Sequence, residues 1–455
     1  MGGKVLAEIT VLGGYLVSSA AVAPRRDWGL HIRDGVIAEV GPNHTLPGYR
    51  TGAGGVRVID ARDQIVIPGF VNTHMHMYGL LSHGITVPVA PSGFYAFLEE
   101  FWWPYVEDRL DHNLIRVVAA LACAEMIRSG ITSFSDILEA PNAVPGALEV
   151  ESEVVEASGL RAILSFEATE RKGPENGQLG LQENEAFIRR HRRPGRASGD
   201  DAPSVFGMMC VHTTFTCSPR FLSQAREKAS ELGSGIQLHL SESSYEPRWC
   251  RENYGKAPVE LYEEMGFLGE DLLASQCVQL TEAEMDLLAG RGVRVSHMPL
   301  SNCEVGGGIA PVPDLLARGI TVGLGTDGYI NNFFEVMRGA FLIHKAHRQD
   351  PSVMPARLVF DLATARGAQA LGFTDAGTLE VGKSADVVMV KGDLPTPVNE
   401  DNLFDQLVLY RNHQDVQTVI ARGRVLMEEG RLLTLDEERV RARAREAAAT
   451  LWRGE

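Results

Sequence analysis

His74-Met75-His76 is the pair of side chains whose type and spacing most directly suggest chemistry. In an extended segment residues i and i+2 share a face, so both imidazoles can converge on one point. His239 ends a later apolar run, with Glu242 three residues on, and Asp327 follows another in Gly325-Thr326-Asp327-Gly328. Imidazole is the commonest protein ligand for metals. Three His and one Asp (His74, His76, His239 and Asp327) would hold one divalent zinc or iron ion and leave a position for water. Such an ion lowers the pKa of a bound water to about 7. Asp327 could accept the water's proton, and Glu242 could carry it to a leaving nitrogen as general acid/base. Taken alone, each has an ordinary alternative: paired histidines at a strand end, a solvated loop carboxylate. The combination argues for a site.

Those residues need a frame that brings distant segments to one mouth. Between about 67 and 373, short apolar runs alternate with longer amphipathic segments. The runs at 67–72, 131–135, 162–166, 205–211, 236–240, 273–278, 293–297 and 321–325 predict eight strands, and the segments between them carry helix periodicity. The predicted fold is α/β, a (β/α)8 barrel, whose active sites lie at the C-terminal ends of the strands. The ends read differently. Strand-like runs at 5–12, 29–33 and 36–40, with Asp34-Gly35 as a hairpin turn, are matched by runs at 385–390, 416–421 and 424–427, with Arg422-Gly423 at a turn. Both termini are therefore expected to build one small β-sandwich domain. The division is 1–66, the barrel at 67–373, and 374–455 with a terminal helix at 436–452. The charged stretch 189–201 reads as an exposed loop, and Gly306-Gly307-Gly308 as a flexible turn rather than a phosphate loop.

The 455 residues carry 43 Lys and Arg against 59 Asp and Glu, a net charge of −16, which argues against nucleic acid or an anionic membrane as partner. With 44% hydrophobic and 22% charged residues the chain reads as globular, and no apolar run approaches a membrane span. The six Cys form no CxxC pair, so they read as reduced, mostly buried thiols in a cytoplasmic protein. The missing CxxC also excludes the zinc deaminases built on HxE and PCxxC.

Phe97, Phe101 and Tyr105 have ordinary helix-packing spacing and read as core. Trp102 and Trp103 are candidates to line a pocket or a subunit contact, where a flat ring could stack. His83 reads as a solvated loop residue, and His344 and His347, beside Lys345 and Arg348, as a surface face.

Ile67-Pro68-Gly69-Phe70-Val71-Asn72-Thr73-His74-Met75-His76 resembles the opening signature of the amidohydrolase superfamily. Ser296-His297-Met298-Pro299-Leu300-Ser301-Asn302 and the Asp327 motif resemble its later ones. The nearest branch is that of adenosylhomocysteine/methylthioadenosine-type deaminases, heterocycle deaminases and triazine hydrolases, and the resemblance covers almost the whole chain. It implies a mononuclear metal on His74, His76, His239 and Asp327, zinc favoured over iron, with Glu242 as proton shuttle. It places His212 against the substrate and His297 in a supporting role. Homo-oligomers are compatible with it. One departure stands out. Where this branch carries a His in a pattern like Ala-His-Cys-Val-His-Leu, the chain has Ser275-Gln276-Cys277-Val278-Gln279-Leu280. Gln276 can donate a hydrogen bond but cannot shuttle a proton near neutral pH. The expected function is a metal-dependent hydrolase that cleaves a C–N bond of a small cyclic or aromatic molecule, deamination foremost. Hydrolysis of an amide, urea or carbamate, or dechlorination of a triazine, is the alternative, and a catalytically impaired binding protein on the same scaffold the third reading.

Overall fold

Eight parallel strands alternate with helices through the middle of the chain, in a computed structural model that describes residues 8–50, 55–87, 89–192, 203–328, 331–393 and 396–452. The barrel strands are Phe70–Met75, Ile131–Leu138, Arg161–Phe166, Val205–Gly207 continued by Met209–Cys210, Ile236–Leu240, Leu272–Gln276, Arg294–His297 and Val322–Leu324. They hydrogen-bond as two arcs that meet in the fourth strand, whose two halves face opposite neighbours on either side of Met208. A parallel bridge between Met75 and Asp327 joins the first strand to the eighth and closes the ring. The first strand starts later than the apolar run suggested. Ile67 and Pro68 end a strand of another sheet, Arg57–Pro68, and the barrel strand begins at Phe70. Gly69 sits between them, where a Cβ would lie 2.1 Å from the Thr132 hydroxyl, so only glycine permits the passage. His74 thus lies inside the strand and His76 just past it.

Helices follow the strands because the intervening segments are capped and amphipathic. Ser218 accepts a hydrogen bond from the Phe221 N–H at the start of Pro219–Leu232, and Thr281 and Glu284 form a reciprocal capping box on Glu282–Gly290. Phe70 meets Phe334 edge-on at 5.2 Å, in the packing between the barrel and the helix Phe333–Arg348. Among the described residues no helix is long and apolar enough to cross a membrane.

Strands from both ends of the chain form one nine-stranded sheet. Its central members are Val387–Lys391, Arg57–Pro68 and Ile9–Leu16, of which the last two run parallel and the first pairs antiparallel. The sheet curls so that Val36 bridges Ser384, and it wraps a core including Val11, Leu30, Val66 and Val387. Asp34-Gly35 and Arg422-Gly423 both take positive φ at two successive residues, as two-residue hairpins require. The predicted strand at 5–12 is found at Ile9–Leu16, and its residues 5–7 lie outside the described residues, as does most of the loop at 189–201. The terminal helix runs Glu437–Leu451 with Asp436 as its cap. Trp452, just beyond it, donates its indole N–H to the Leu81 carbonyl at 2.7 Å and so braces the loop after the first barrel strand.

Arg161 fastens the sheet to the barrel. This buried side chain of the third barrel strand donates to Asp375 at 2.9 Å, Ser384 at 2.8 Å and the buried Asp386 at 3.4 Å. Removing one partner leaves a buried charge uncompensated, which typically costs about 3–5 kcal/mol. Arg161→Met is therefore expected to lower the unfolding free energy by about 3 kcal/mol in urea denaturation.

Candidate active site

The C-terminal ends of the strands open into a cavity of about 780 Å³, lined at its floor by His76, His212, His239, Glu242, Gln276 and Asp327. His74 lies directly beneath, fully buried. The three imidazoles His74, His76 and His239 each offer a nitrogen within one 4.8 Å cluster. Each ring is held by its other nitrogen. His76 Nδ1 donates to the Ile137 carbonyl at 2.8 Å, His239 Nδ1 lies 2.9 Å from the Glu167 carboxylate, and His74 Nδ1 meets the Ser275 hydroxyl at 2.9 Å. With Nδ1 of His76 and His239 turned outward to these groups, their Nε2 atoms face one another 3.2 Å apart. His74 Nε2 is buried with no hydrogen-bond partner. Asp327 lies alongside, its carboxylate oxygens 3.7 Å from His76 Nε2 and 4.0 Å from His74 Nε2. Three imidazole nitrogens converging in a buried space, with a carboxylate beside them, are the donor set of a divalent cation.

The Asp327 loop is tied to the histidines by backbone. The Thr326 and Asp327 N–H groups donate to the His74 carbonyl at 3.0 and 3.1 Å, and the Asn72 side chain both donates to the Thr326 hydroxyl and accepts from its N–H. Asp327, Gln276, Cys277 and Ser241 all adopt positive φ, a strained state for such residues, and all four lie at the strand ends around the floor. Burial pushes the Asp327 carboxyl up, but His76, His74, His239 and the Gln276 amide outweigh it and hold the pKa at about 2. Gln276 donates to Asp327 Oδ2 at 2.7 Å and accepts from the Asn302 amide, so its orientation is set from both sides.

Glu242 stands in the pocket wall. Burial, followed by repulsion from Asp327, raises its pKa to about 8, so it carries a proton at neutral pH. Its position is built by neighbours. Glu246 accepts the Ser241 N–H at 2.6 Å and the Thr214 hydroxyl at 2.8 Å. The Glu242 carbonyl would lie 2.5 Å from a Cβ at position 307, so the middle glycine of the run at 306–308 makes room for this loop. That run is an ordered turn: the Gly307 N–H donates to the Asn302 carbonyl and Gln279 donates to the Gly307 carbonyl. Glu167 faces both His239 and, at 3.9 Å, His212. Burial alone would raise Glu167, but the two imidazoles hold it well below the carboxylate range. Burial likewise lowers His239, yet Glu167 reverses this and lifts it to about 9. His212 is driven by burial to about 3 and bonds Thr216 at 2.7 Å through Nδ1.

The structure places His212, Trp102 and Trp103 on the cavity wall. Phe97 and Phe101, assigned to the core by their spacing, line it too. Gly79 and Gly328 clear space for Trp102: a Cβ at Gly79 would come within 2.9 Å of its ring. His83 sits exposed at the rim, hydrogen-bonded to the Gly328 carbonyl. His344 is not a surface residue: it is buried and bonds His297 at 3.1 Å, whereas His347 is exposed. Helical rotation turns His344 toward the seventh strand and its charged neighbours outward. Sequence reasoning missed Glu167, Ser275, Asn302 and Glu246. The available signal was a carboxylate directly after the apolar third strand, at Phe166-Glu167. The described cysteines form no disulfide, and five of the six are buried.

A closed (β/α)8 barrel with a cation-shaped histidine–aspartate cluster at its mouth defines a metal-dependent hydrolase. Residues 65–426 match the model of the amidohydrolase family. The chain belongs to that family and is an enzyme. It is 39% identical, over 98% of its length and 99% of the relative's, to the 5'-deoxyadenosine deaminase of Methanosarcina barkeri. It is 36% identical, over 94% of both chains, to the 5-methylthioadenosine/S-adenosylhomocysteine deaminase of Pelotomaculum thermopropionicum. A solved adenosine deaminase from Xanthomonas campestris with bound zinc superposes with a TM-score of 0.86 at 25% identity, covering 97% of this chain and 98% of that one.

The raised Glu242 pKa has a consequence for stability. A carboxyl whose folded pKa lies above its unfolded value of 4.5 favours folding while protonated and costs stability as pH rises from about 4.5 through about 8. In metal-stripped protein, Glu242→Gln should raise the melting temperature at pH 9 by a few degrees and leave it unchanged at pH 4, as read by scanning calorimetry.

Proposed function

We propose that the protein is a mononuclear, zinc-dependent deaminase of adenine nucleosides. The observation that carries this reading is the convergence of three buried imidazoles, two with their Nε2 atoms 3.2 Å apart, beside the unpartnered Nε2 of His74. His74, His76, His239 and Asp327 would hold the ion, and zinc suits three imidazoles and a carboxylate. When bound, the ion supplies Lewis acidity that makes a water nucleophilic at neutral pH. The chain's own residues then account for the proton traffic. Asp327, ionised, accepts the proton that the water loses on attack at the ring carbon bearing the amino group. Glu242, protonated, delivers a proton to the nitrogen side, so that a C–O bond forms, the C–N bond breaks and ammonia leaves. Gln276 keeps Asp327 oriented through its 2.7 Å hydrogen bond and takes no proton. His212 faces the substrate from the fourth strand, and Trp102 and Trp103 supply flat apolar wall for the purine.

The relatives named above as deaminases favour this chemistry over amide, urea or triazine hydrolysis. An intact donor set disfavours an impaired binding protein. We further propose that the chain divides at about 66 and 373 and works in the cytoplasm on a small-molecule substrate.

Elemental mass spectrometry should find about one zinc per chain, reduced in Asp327→Asn. Purified enzyme should release ammonia from 5'-deoxyadenosine. No retained zinc or iron, even after adding the metal, would sink the hydrolytic reading. Glu242→Gln should keep its metal and lose about 10²–10⁴ in kcat, the span of general acid–base catalysis. Glu167→Gln removes the anchor of His239 and should weaken zinc affinity about 10–100-fold in chelator competition.

A further inference from the structure

The proposed deamination fixes what lies at the floor of the pocket but not what the far end of the substrate carries. The relatives differ on that end: the substrates in their names bear a bare methyl, a thioether or an amino-acid tail at the 5′ position. With the reacting ring carbon at the histidine floor, the sugar and its 5′ substituent extend up the cavity. The wall there is apolar: Ile85, Phe94, Phe97 and Phe101 line it. Five acidic side chains line the same cavity, Glu107, Glu167, Glu242, Glu304 and Asp327, with Glu167 and Asp327 held ionised, and among the described residues no Lys or Arg lines it. The Arg171 guanidinium lies over the Trp103 ring at 5.3 Å and is bound by Glu139, Glu107 and Asp108. These acids hold its Nε and Nη2 away from the cavity lining. Glu304 is exposed at the rim.

A 5′-phosphate placed there would lose its water among aromatic rings, meet Glu304 at the rim and find no cation on the wall. An amino-acid tail fares little better, because Glu304 could meet its ammonium while its carboxylate stays unpaired. A methyl, hydroxymethyl or thioether group buries favourably against the same wall. We propose that this site selects adenine nucleosides with an uncharged 5′ group against those with a 5′-phosphate or an amino-acid tail, and that Glu304 is a specificity-determining residue of that filter. The proposal rests on the nucleoside deaminase reading above.

The test is ammonia release by the zinc-loaded enzyme from 5'-deoxyadenosine, 5'-methylthioadenosine, S-adenosylhomocysteine and adenosine 5'-monophosphate at physiological salt. The two uncharged substrates should exceed the two charged ones in kcat/KM by on the order of 100-fold, carried mainly by KM. Glu304→Lys should raise the ratio of the monophosphate to 5'-methylthioadenosine at least about tenfold. Calorimetric titration with inosine and inosine 5'-monophosphate should show the same preference without turnover. If a charged substrate comes within about tenfold of 5'-deoxyadenosine, or Glu304→Lys leaves the ratio unmoved, the filter is overturned and the deaminase stands. If no adenine nucleoside is turned over, the deaminase reading falls and this inference with it.

Discussion

Three imidazoles turned inward at one buried point are the constraint around which the barrel mouth is arranged. Their mutual repulsion has to be balanced, and each ring has to be held against it by its outward nitrogen. The holders come from different places: the Ile137 carbonyl in the second strand, Ser275 in the sixth and Glu167 just past the third. No local segment could supply all three. A closed ring of parallel strands can, because every strand end faces the same mouth. The closure and the cluster are also one construction, since the bonds from the Asp327 loop to His74 and Asn72 join the first strand to the eighth. Strain at Asp327, Gln276, Cys277 and Ser241 is tolerated because the surrounding ladder over-determines it.

Much of this was legible in the sequence. HxH at the end of an apolar run, a His and a Glu after a later one, and an Asp in a glycine-flanked turn are local patterns, and the structure brings these residues together. The eight apolar runs are the eight strands, apart from the first, where a continuous apolar run hides the change of sheet at Gly69. The supporting residues were not legible, because Glu167 and Ser275 act only through partners 72 and 201 positions away in the chain. The misplaced His344 shows the same limit. Its charged neighbours in sequence describe the outer face of the helix, while its partner His297 lies on another element. Phe97 and Phe101 keep helix spacing whether they face a core or a cavity, so period alone could not separate the two.

Buried acids recur around the site, and position decides their charge. Those beside imidazoles, Glu167 and Asp327, stay ionised. Burial with like-charged neighbours pushes Glu107 well above its ordinary range despite Arg171, and Glu139 to about 7. In the second strand, burial raises Asp136 to about 7, and burial followed by repulsion from Asp136 raises Glu151. Asp136 accepts the Met77 N–H at 2.7 Å, which fixes the backbone immediately after His76. A carboxyl outside the cavity lining therefore helps aim a histidine inside it.

The nine-stranded sheet has a consequence for how the chain is made. Arg57–Pro68 finds its neighbour Ile9–Leu16 as soon as both leave the ribosome, but its other edge waits for Val387–Lys391, roughly 320 residues later. At about 5–20 residues per second, that edge stays unpaired for roughly 15–65 s of translation. Exposed strand edges of this kind template pairing between chains. The newborn protein thus passes through a long interval in which its half-built sheet is adhesive, and crowded synthesis would make it a natural client of chaperones.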